Sequence, residues 1–402
     1  MATYDIRIGW AANVTNPFTI GTSTLGGGDQ LGGTFLVDFA GPYDDVALDT
    51  EEFTIRRGRD DPLTPVQAGR CELTLFDLDG RYNPLNSSSP IFGQMIPMRQ
   101  VKITATELGV TYPLFRGFIR SMEFDPNDRR TQVVAEDLML WLSRTRPVVG
   151  PTSGKTGALI QAVLTASGWT LPMLTDVDVT AGDTVSNFSL DGTSESRTAL
   201  QAIADLLESE RGLFFIEADG TAHYRDRHEQ GVQPSLSSLT DVFTNAVPGT
   251  SIETVINRSR VTKEGGVTQT SENTASVELY GPGDLSIESP YFEDDVQAAS
   301  LASYLTWLYS TPTAPLWALP LIGNVDSSTM AAVLSRELGD RVTLTSTQAG
   351  FTGDFYIESI MHHVRSASMH HTEWSLTRRP EVGELFVIGE STLGGGDILA
   401  YY

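Results

Sequence analysis

Cysteine is almost missing from this chain. Cys71 is the single one in 402 residues, which excludes an intrachain disulfide and any cysteine-based zinc site. Bases are scarce as well. Lys and Arg number 27 against 51 Asp and Glu, a formal net charge of −24, although charged residues make up only 19% of the chain. The negative balance therefore comes from few bases rather than from acidic tails, and no run of five or more like charges occurs. A broad basic face for gripping nucleic acid is excluded, because every phosphate contact needs a Lys or an Arg. No apolar run approaches the roughly 20 residues of a membrane span, so no stable membrane insertion is expected. The start, Met1-Ala-Thr-Tyr-Asp5, has neither a basic region nor an apolar signal core, so secretion by the usual route is not expected.

What is present is ample apolar material, 40% of the residues, in a chain too long for one ordinary core. Period-two alternation marks strands at Phe53–Arg57, Cys71–Phe76, Val101–Thr106, Phe115–Arg120 and Thr131–Ala135. Turn chemistry at Asp79-Gly80, Asn83-Pro84, Leu108-Gly109 and Asp125–Asp128 separates them, and Glu136–Arg144 reads as one short helix. Helices follow over Gly154–Gly168 and Ser194–Gly212, the latter with the stripe Ala199, Leu200, Ile203, Ala204 and Leu207. A hairpin over Leu213–Arg225 turns at Asp219-Gly220. Strands return at Thr254–Thr262 and Ala275–Tyr280, then at Arg341–Thr345, Phe355–Ile360 and Glu373–Thr377, with helices expected at 294–309 and 327–338. The expected class is β-rich α+β. The expected divisions are an N-terminal β unit with an extended arm (1–147), an α+β middle domain (148–234), a second β unit with inserted helices (235–380) and a C-terminal arm (381–402).

The arms carry an internal repeat. Phe18–Leu31 and Phe386–Leu399 agree at 11 of 14 positions, including Leu25-Gly26-Gly27-Gly28-Asp29 and Leu393-Gly394-Gly395-Gly396-Asp397. Triple glycine between apolar β segments marks a tight turn or an arm lying against another backbone, and the aspartate disfavours an anion site. Two copies near opposite ends point to two equivalent docking places, so these ten residues are the expected assembly contacts.

Chemical motifs are weak. Gly150-Pro-Thr-Ser-Gly154-Lys155-Thr156 has one residue too few for a phosphate-binding loop and a proline that removes a donor, so a loop leading into a helix is expected. Asp77-Leu-Asp79-Gly80 lacks the third acid and the closing glutamate of a calcium loop and reads as a turn with solvated carboxylates. His362-His363 and His370-His371 flank a hairpin turn, so one histidine of each pair could face the same way, with Glu358 and Glu373 near in sequence. Polar edge positions are the simpler account, and no metal and no cofactor are expected. Cys71 sits in an alternating strand without a nearby histidine and reads as a core thiol. No Gly-x-Ser-x-Gly elbow occurs, and no enzymatic activity is expected.

Several segments in order resemble one family. Arg56-Arg-Gly-Arg-Asp-Asp61, Gln67–Asn86 and Tyr112–Ile119 are similar to the opening domain of tail-hub (minor tail) proteins of tailed bacteriophages. Thr198–Ala204, Phe214–Gly220 and Tyr224–Arg227 are similar to its middle, and Ile256–Arg258, Leu338–Leu344 and Gly353–Ile360 to its last third. The resemblance implies two tail-tube-like β-barrel domains per chain and a homotrimeric ring, so that three chains offer six similar positions to a sixfold tube. It further implies contacts with a distal tail or tail tube protein, a tape measure protein and tail-tip or fibre proteins. DNA would be only a transiting cargo, and the place would be the tail tip of the virion. An acidic wall would repel passing phosphate, although acidity also serves solubility. Two rival functions are compatible with the same residues. One is a receptor- or carbohydrate-binding tip protein with Trp307, Trp317 and Tyr309 as its aromatic platform. The other is a cell-wall hydrolase built from scattered residues.

Overall fold

A computed structural model describes residues 2–10, 43–60, 62–169, 175–227, 229, 233–244, 252–312, 316–365 and 369–378. Both glycine-rich arms lie outside the described residues. The N-terminal strands are β1 (Thr3–Gly9), β2 (Asp44–Asp45), β3 (Thr50–Gly58), β4 (Gln67–Phe76), β5 (Gln100–Glu107), β6 (Val110–Asp125) and β7 (Arg130–Asp137). Their alternation has the expected cause: Phe53, Ile55 and Arg57 of β3 are buried, and Cys71, Leu73 and Leu75 of β4 likewise, while Arg56, Arg70 and Glu72 face outward.

The middle of the chain brings α1 (Met139–Arg144), β8 (Val148–Lys155), α2 (Thr156–Ala166), β9 (Thr175–Val177), β10 (Thr184–Asp191), α3 (Ala199–Glu210), β11 (Leu213–Ile216) and β12 (Ala222–Arg225). α3 begins later than expected, because Thr198 and Gln201 form a reciprocal capping box. It ends one residue earlier, on Arg211 at φ 64°, whose guanidinium donates to the Leu63 carbonyl at 3.0 Å. Gly212 serves close packing instead, since a Cβ there would stand 3.0 Å from the Arg225 carbonyl oxygen.

Next come β13 (Ser237–Thr240), β14 (Arg258–Lys263), β15 (Gln269–Glu272), α4 (Thr274–Tyr280), β16 (Asp284–Ser289), α5 (Asp295–Tyr309), β17 (Leu316–Leu321), α6 (Ser327–Leu334), β18 (Arg341–Ser346), β19 (Phe351–Arg365) and β20 (Met369–Arg378). The strand expected at Ala275–Tyr280 is instead helix α4. Asn273 accepts from the Ser276 N–H at its start, and the Ser276 hydroxyl donates to the Ser310 carbonyl, so the local cap overrides alternation. The strand expected from Thr254 begins only at Arg258 and joins a separate sheet, β15-β14-β16. Ala298, Leu301, Ala302 and Leu305 of α5 pack on Val261 and Ile287 of that sheet as a small core of its own.

The two strand-rich regions share one twelve-stranded sheet, in the order β13-β18-β19-β3-β4-β7-β6-β5-β1-β2, with β20 and β17 following from β19. It curls without closing and is antiparallel apart from β13 on β18. Its two ends follow one plan. β5-β6-β7-β4 and β18-β19-β20-β17 are each two successive hairpins followed by a returning earlier strand, and β1 and β13 flank β5 and β18. The agreement extends to single residues. The Ile119 N–H donates to Arg99 O and its carbonyl accepts from Met98 N, while Ile357 makes the same pair of bonds with Asp340 and Gly339. Met98 and Gly339 both hold positive φ, 68° and 74°. Each isoleucine is followed by a bulge, at Arg120 in β6 and at Glu358 in β19, and then by a serine. One difference is that β1 runs antiparallel to β5, whereas β13 runs parallel to β18.

Candidate assembly surface

The junction of the two halves is the pairing of β3 with β19, seven residue pairs from Ser359↔Gly58 to Arg365↔Glu52. Gly58 permits the close approach, with φ at +116° and its α-carbon against the Glu358 carbonyl and Ser359. Arg59 then seals the bulge: its N–H donates to Glu358 O at 2.9 Å and its guanidinium to Glu358 Oε2 at 2.7 Å. One residue before the glycine, alternation turns Arg57 inward. Its Nη1 donates to Glu337 Oε2 at 2.6 Å, and Glu337 Oε1 accepts from the Ala218 N–H. Beside it, buried Asp137 accepts from the Gly69 and Met139 N–H groups. Burial pushes the Asp137 carboxyl up to about 7 and raises Glu337 as well, with the Arg57 charge opposing both. Arg57 thus ties the first β unit, the middle hairpin and the turn before β18 together. Arg225, buried against Asp340, makes a second such tie.

The histidines of the 362–371 hairpin lie one strand away. As expected, one of each pair faces the same way: His362 Nδ1 is 3.0 Å from His370 Nε2, and Thr372 Oγ1 lies within 3.2 Å of both. His370 Nδ1 meets the Tyr4 hydroxyl at 2.9 Å, tying β1 to β20. The ring nitrogens facing each other are therefore spent on a hydrogen-bonded chain, and Glu358 is committed to Arg59, so the arrangement is structural rather than metal-ligating. Burial and the neighbouring ring hold His362 well below its usual range and His370 at about 4. The sign follows from linkage. The unfolded chain takes up these protons near pH 6.5 while the fold resists, so stability present above pH 6.5 is lost as pH falls towards 4. His370→Gln should remove that share. Its stability deficit against the parent, read from urea melts, should shrink by about 3 kcal/mol between pH 7 and pH 4. A deficit that is the same at both ends would show that His370 does not titrate this way.

A cluster that sequence spacing did not reveal is Asp176, Glu217 and His223, whose His223 Nδ1 lies 3.1 Å from a carboxylate oxygen of each acid. The Arg225 Nε–H donates to His223 Nε2 at 2.9 Å, which puts the neutral ring's proton on Nδ1. That atom lies 3.1 Å from each acid without a hydrogen bond of good geometry to either, and with its proton there it has no lone pair to offer a metal.

The other sequence candidates fall as follows. Gly150–Lys155 forms strand β8 rather than a loop, and the first helical N–H groups after it, of Thr156 and Gly157, donate to the Asp183 and Ala181 carbonyls. No donor array is left there for a phosphate. Asp77 is buried and accepts from the Tyr82 N–H, which corrects the expectation of a solvated carboxylate. Cys71 is fully buried and its thiol is raised by desolvation, in keeping with a core role. Of the aromatic trio, Trp307 is exposed and leans on Tyr304, Tyr309 is half-buried, and Trp317 belongs to β17. Leu25–Asp29 and Leu393–Asp397 lie outside the described residues.

Two surfaces stand out among the described residues. The connection from β4 to β5, residues 77–99, has no regular structure but is pinned inside by Tyr82, whose hydroxyl donates to Asp49. Outside it shows Leu78, Leu85, Phe92 and Ile96, next to Phe76. A long loop that carries several exposed large apolar side chains is a candidate contact surface. The second is the edge of β6 beyond Ile119, where no strand lies against Arg120–Asp125 on the side away from β7.

No protein-family model and no curated protein matches the chain. Solved structures do share its fold. A tail protein from Neisseria meningitidis superposes with a TM-score of 0.58 at 11% identity, over 94% of this chain and 96% of that one. The 43 kDa tail protein of prophage MuSo2 from Shewanella oneidensis gives 0.54 at 12% identity, over 94% and 96%. A prophage tail protein from Listeria monocytogenes gives 0.50 at 11% identity, over 85% and 92%.

Proposed function

We propose that this chain is a structural, non-catalytic component of a phage-type tail, a homotrimeric hub in which each chain fills two of six positions around a channel. The observation that carries the reading is the repeated strand plan of the two sheet halves, down to the Ile119 and Ile357 bonds and the bulges that follow them. Two like modules per chain let three chains match a sixfold tube while the distal side stays threefold. The fold shared with three tail proteins over most of their length supports it. In this reading the apolar outer face of 77–99 meets the tail tube or distal tail protein, and tape measure and tip or fibre proteins adjoin the other faces. DNA passes without binding, past a wall poor in bases. The arms at Leu25–Asp29 and Leu393–Asp397 occupy equivalent grooves on the two modules. No observation favours the carbohydrate-binding alternative: of its aromatics Trp307 is exposed, but it leans on Tyr304, and Tyr309 is half-buried.

Light scattering on the full chain, with negative-stain images, tests this. A trimer mass and a threefold ring with an axial hole are expected, and removal of residues 386–402 should lower the assembled fraction. A compact monomer, or a cleared band on a peptidoglycan gel at the mass of this chain, would overturn it.

A further inference from the structure

The internal repeat says what the open edge of β6 is for. In the C-terminal half, the edge of β19 beyond its bulge is covered by β3, and the bulge carbonyl of Glu358 accepts from Arg59 N at 2.9 Å. In the N-terminal half the same edge, beyond the bulge at Arg120, has no strand on it among the described residues. Ile119 turns its N–H and carbonyl towards Arg99 and Met98. Allowing for the extra residue of the bulge, alternation turns Ser121, Glu123 and Asp125 towards β7, and Met122 and Phe124 outward. Bare backbone donors and acceptors on a strand edge are a template for another strand.

We infer that Arg120–Asp125 of β6 pairs with an extended strand from a second copy of this chain, as β3 pairs with β19 within the chain. The occupant is argued from the molecule itself, because the contact that the fold already makes between its own two halves is the one that this edge lacks. At the bulge Arg120 stands where Glu358 stands in the other half, and Glu136 of β7 already pairs with it, so the incoming strand need not supply its counter-charge. The contact joins different surfaces of the two copies, so it closes into a ring only if the rotation allows; otherwise it runs on as a filament. The inference rests on the self-assembly proposed above and adds to it which edge is used.

Hydrogen exchange on the wild-type chain, at assembling and at dilute concentration, tests it. The Met122 and Phe124 amides should exchange about tenfold or more slowly in the assembly than in the monomer, with β4 amides unchanged. Met122→Pro removes one outward N–H without touching the β6–β7 ladder, and should lower the assembled fraction far more than Met122→Ala, which loses the same side-chain packing on the core of the first unit but keeps the N–H. A trimer in which both amides exchange as fast as in the monomer overturns the edge assignment and leaves the hub standing. Protection already complete in the monomer also overturns it, since the chain then covers its own edge. A chain that stays monomeric at every concentration overturns both.

Discussion

Arg57→Ala is expected to cost about 3–5 kcal/mol of folding stability, the range for removing one partner of a buried ion pair. The arginine is 4% exposed and holds Glu337 at 2.6 Å, and its charge also lowers the cost of keeping Asp137 buried. Alanine would leave two interior carboxyls with one less cation, and the Ala218 N–H attached to one of them. Three regions of the chain meet at that point, so the loss should appear as one cooperative destabilisation rather than a local fraying. The defect should depend on pH. Both carboxyls already sit above their usual range, and without Arg57 they rise further, so the fold prefers them protonated while the unfolded chain does not. The cost is therefore largest above pH 7 and shrinks as pH falls towards 4. Arg56→Ala, one residue away on the exposed face, should change stability by no more than about 0.5 kcal/mol. Urea melts of the two variants at pH 7.5 and pH 5 check this; equal losses for both, or a loss at position 57 that is the same at both pH values, would refute the account.

That contrast shows what a sequence can and cannot disclose. Arg56-Arg-Gly-Arg59 stood out in the chain, yet only as part of a resemblance. Period-two alternation already implied that Arg56 and Arg57 face opposite ways, but which side is the interior depends on β19, some 300 residues later. Strands such as β4, β7, β18 and β20 were legible because each mainly buries one face, a local signature. α2, α3 and α5 were legible from their apolar stripes for the same reason. The pairing of β3 with β19 leaves no local trace, so one continuous sheet could not be read in place of two separate strand units. The histidine pairs illustrate the same boundary. The shared direction of His362 and His370 follows from hairpin register, whereas their lowered pKa follows from burial, which is tertiary. α4 failed for the opposite reason: an alternating hexapeptide was overruled by a single Asn273 cap and by the Ser276 contacts. The open edge of β6 was invisible because a missing partner is defined only by the half that has one.

The second large effect is expected at Gly58. A Cβ on this residue would overlap the Glu358 carbonyl oxygen and stand 2.5 Å from the Ser359 Cα. Both are backbone atoms of the opposing strand, so no side-chain rotation relieves the clash. The backbone is unfavourable as well, since φ of +116° lies where side-chain-bearing residues carry a strain of about 1–3 kcal/mol. Overpacking adds about 1–3 kcal/mol. Gly58→Ala should thus cost about 2–6 kcal/mol, unless β3 and β19 separate to accommodate it. Gly109→Ala isolates the first contribution, because Gly109 also has positive φ, +79°, but nothing stands within 4 Å of its would-be Cβ. Strand separation has its own signature. It would break the bond from Arg59 N to Glu358 O and expose the β19 amides that alternation turns towards β3, those of Ile360, His362 and Val364, while the hairpin of β5 and β6 stays protected. Hydrogen exchange of the two variants distinguishes the outcomes: Gly58→Ala should raise exchange along that stretch of β19, and Gly109→Ala should not. If the two alanines cost the same and neither loosens β19, then the approach of β3 to β19 is not what joins the halves of the sheet.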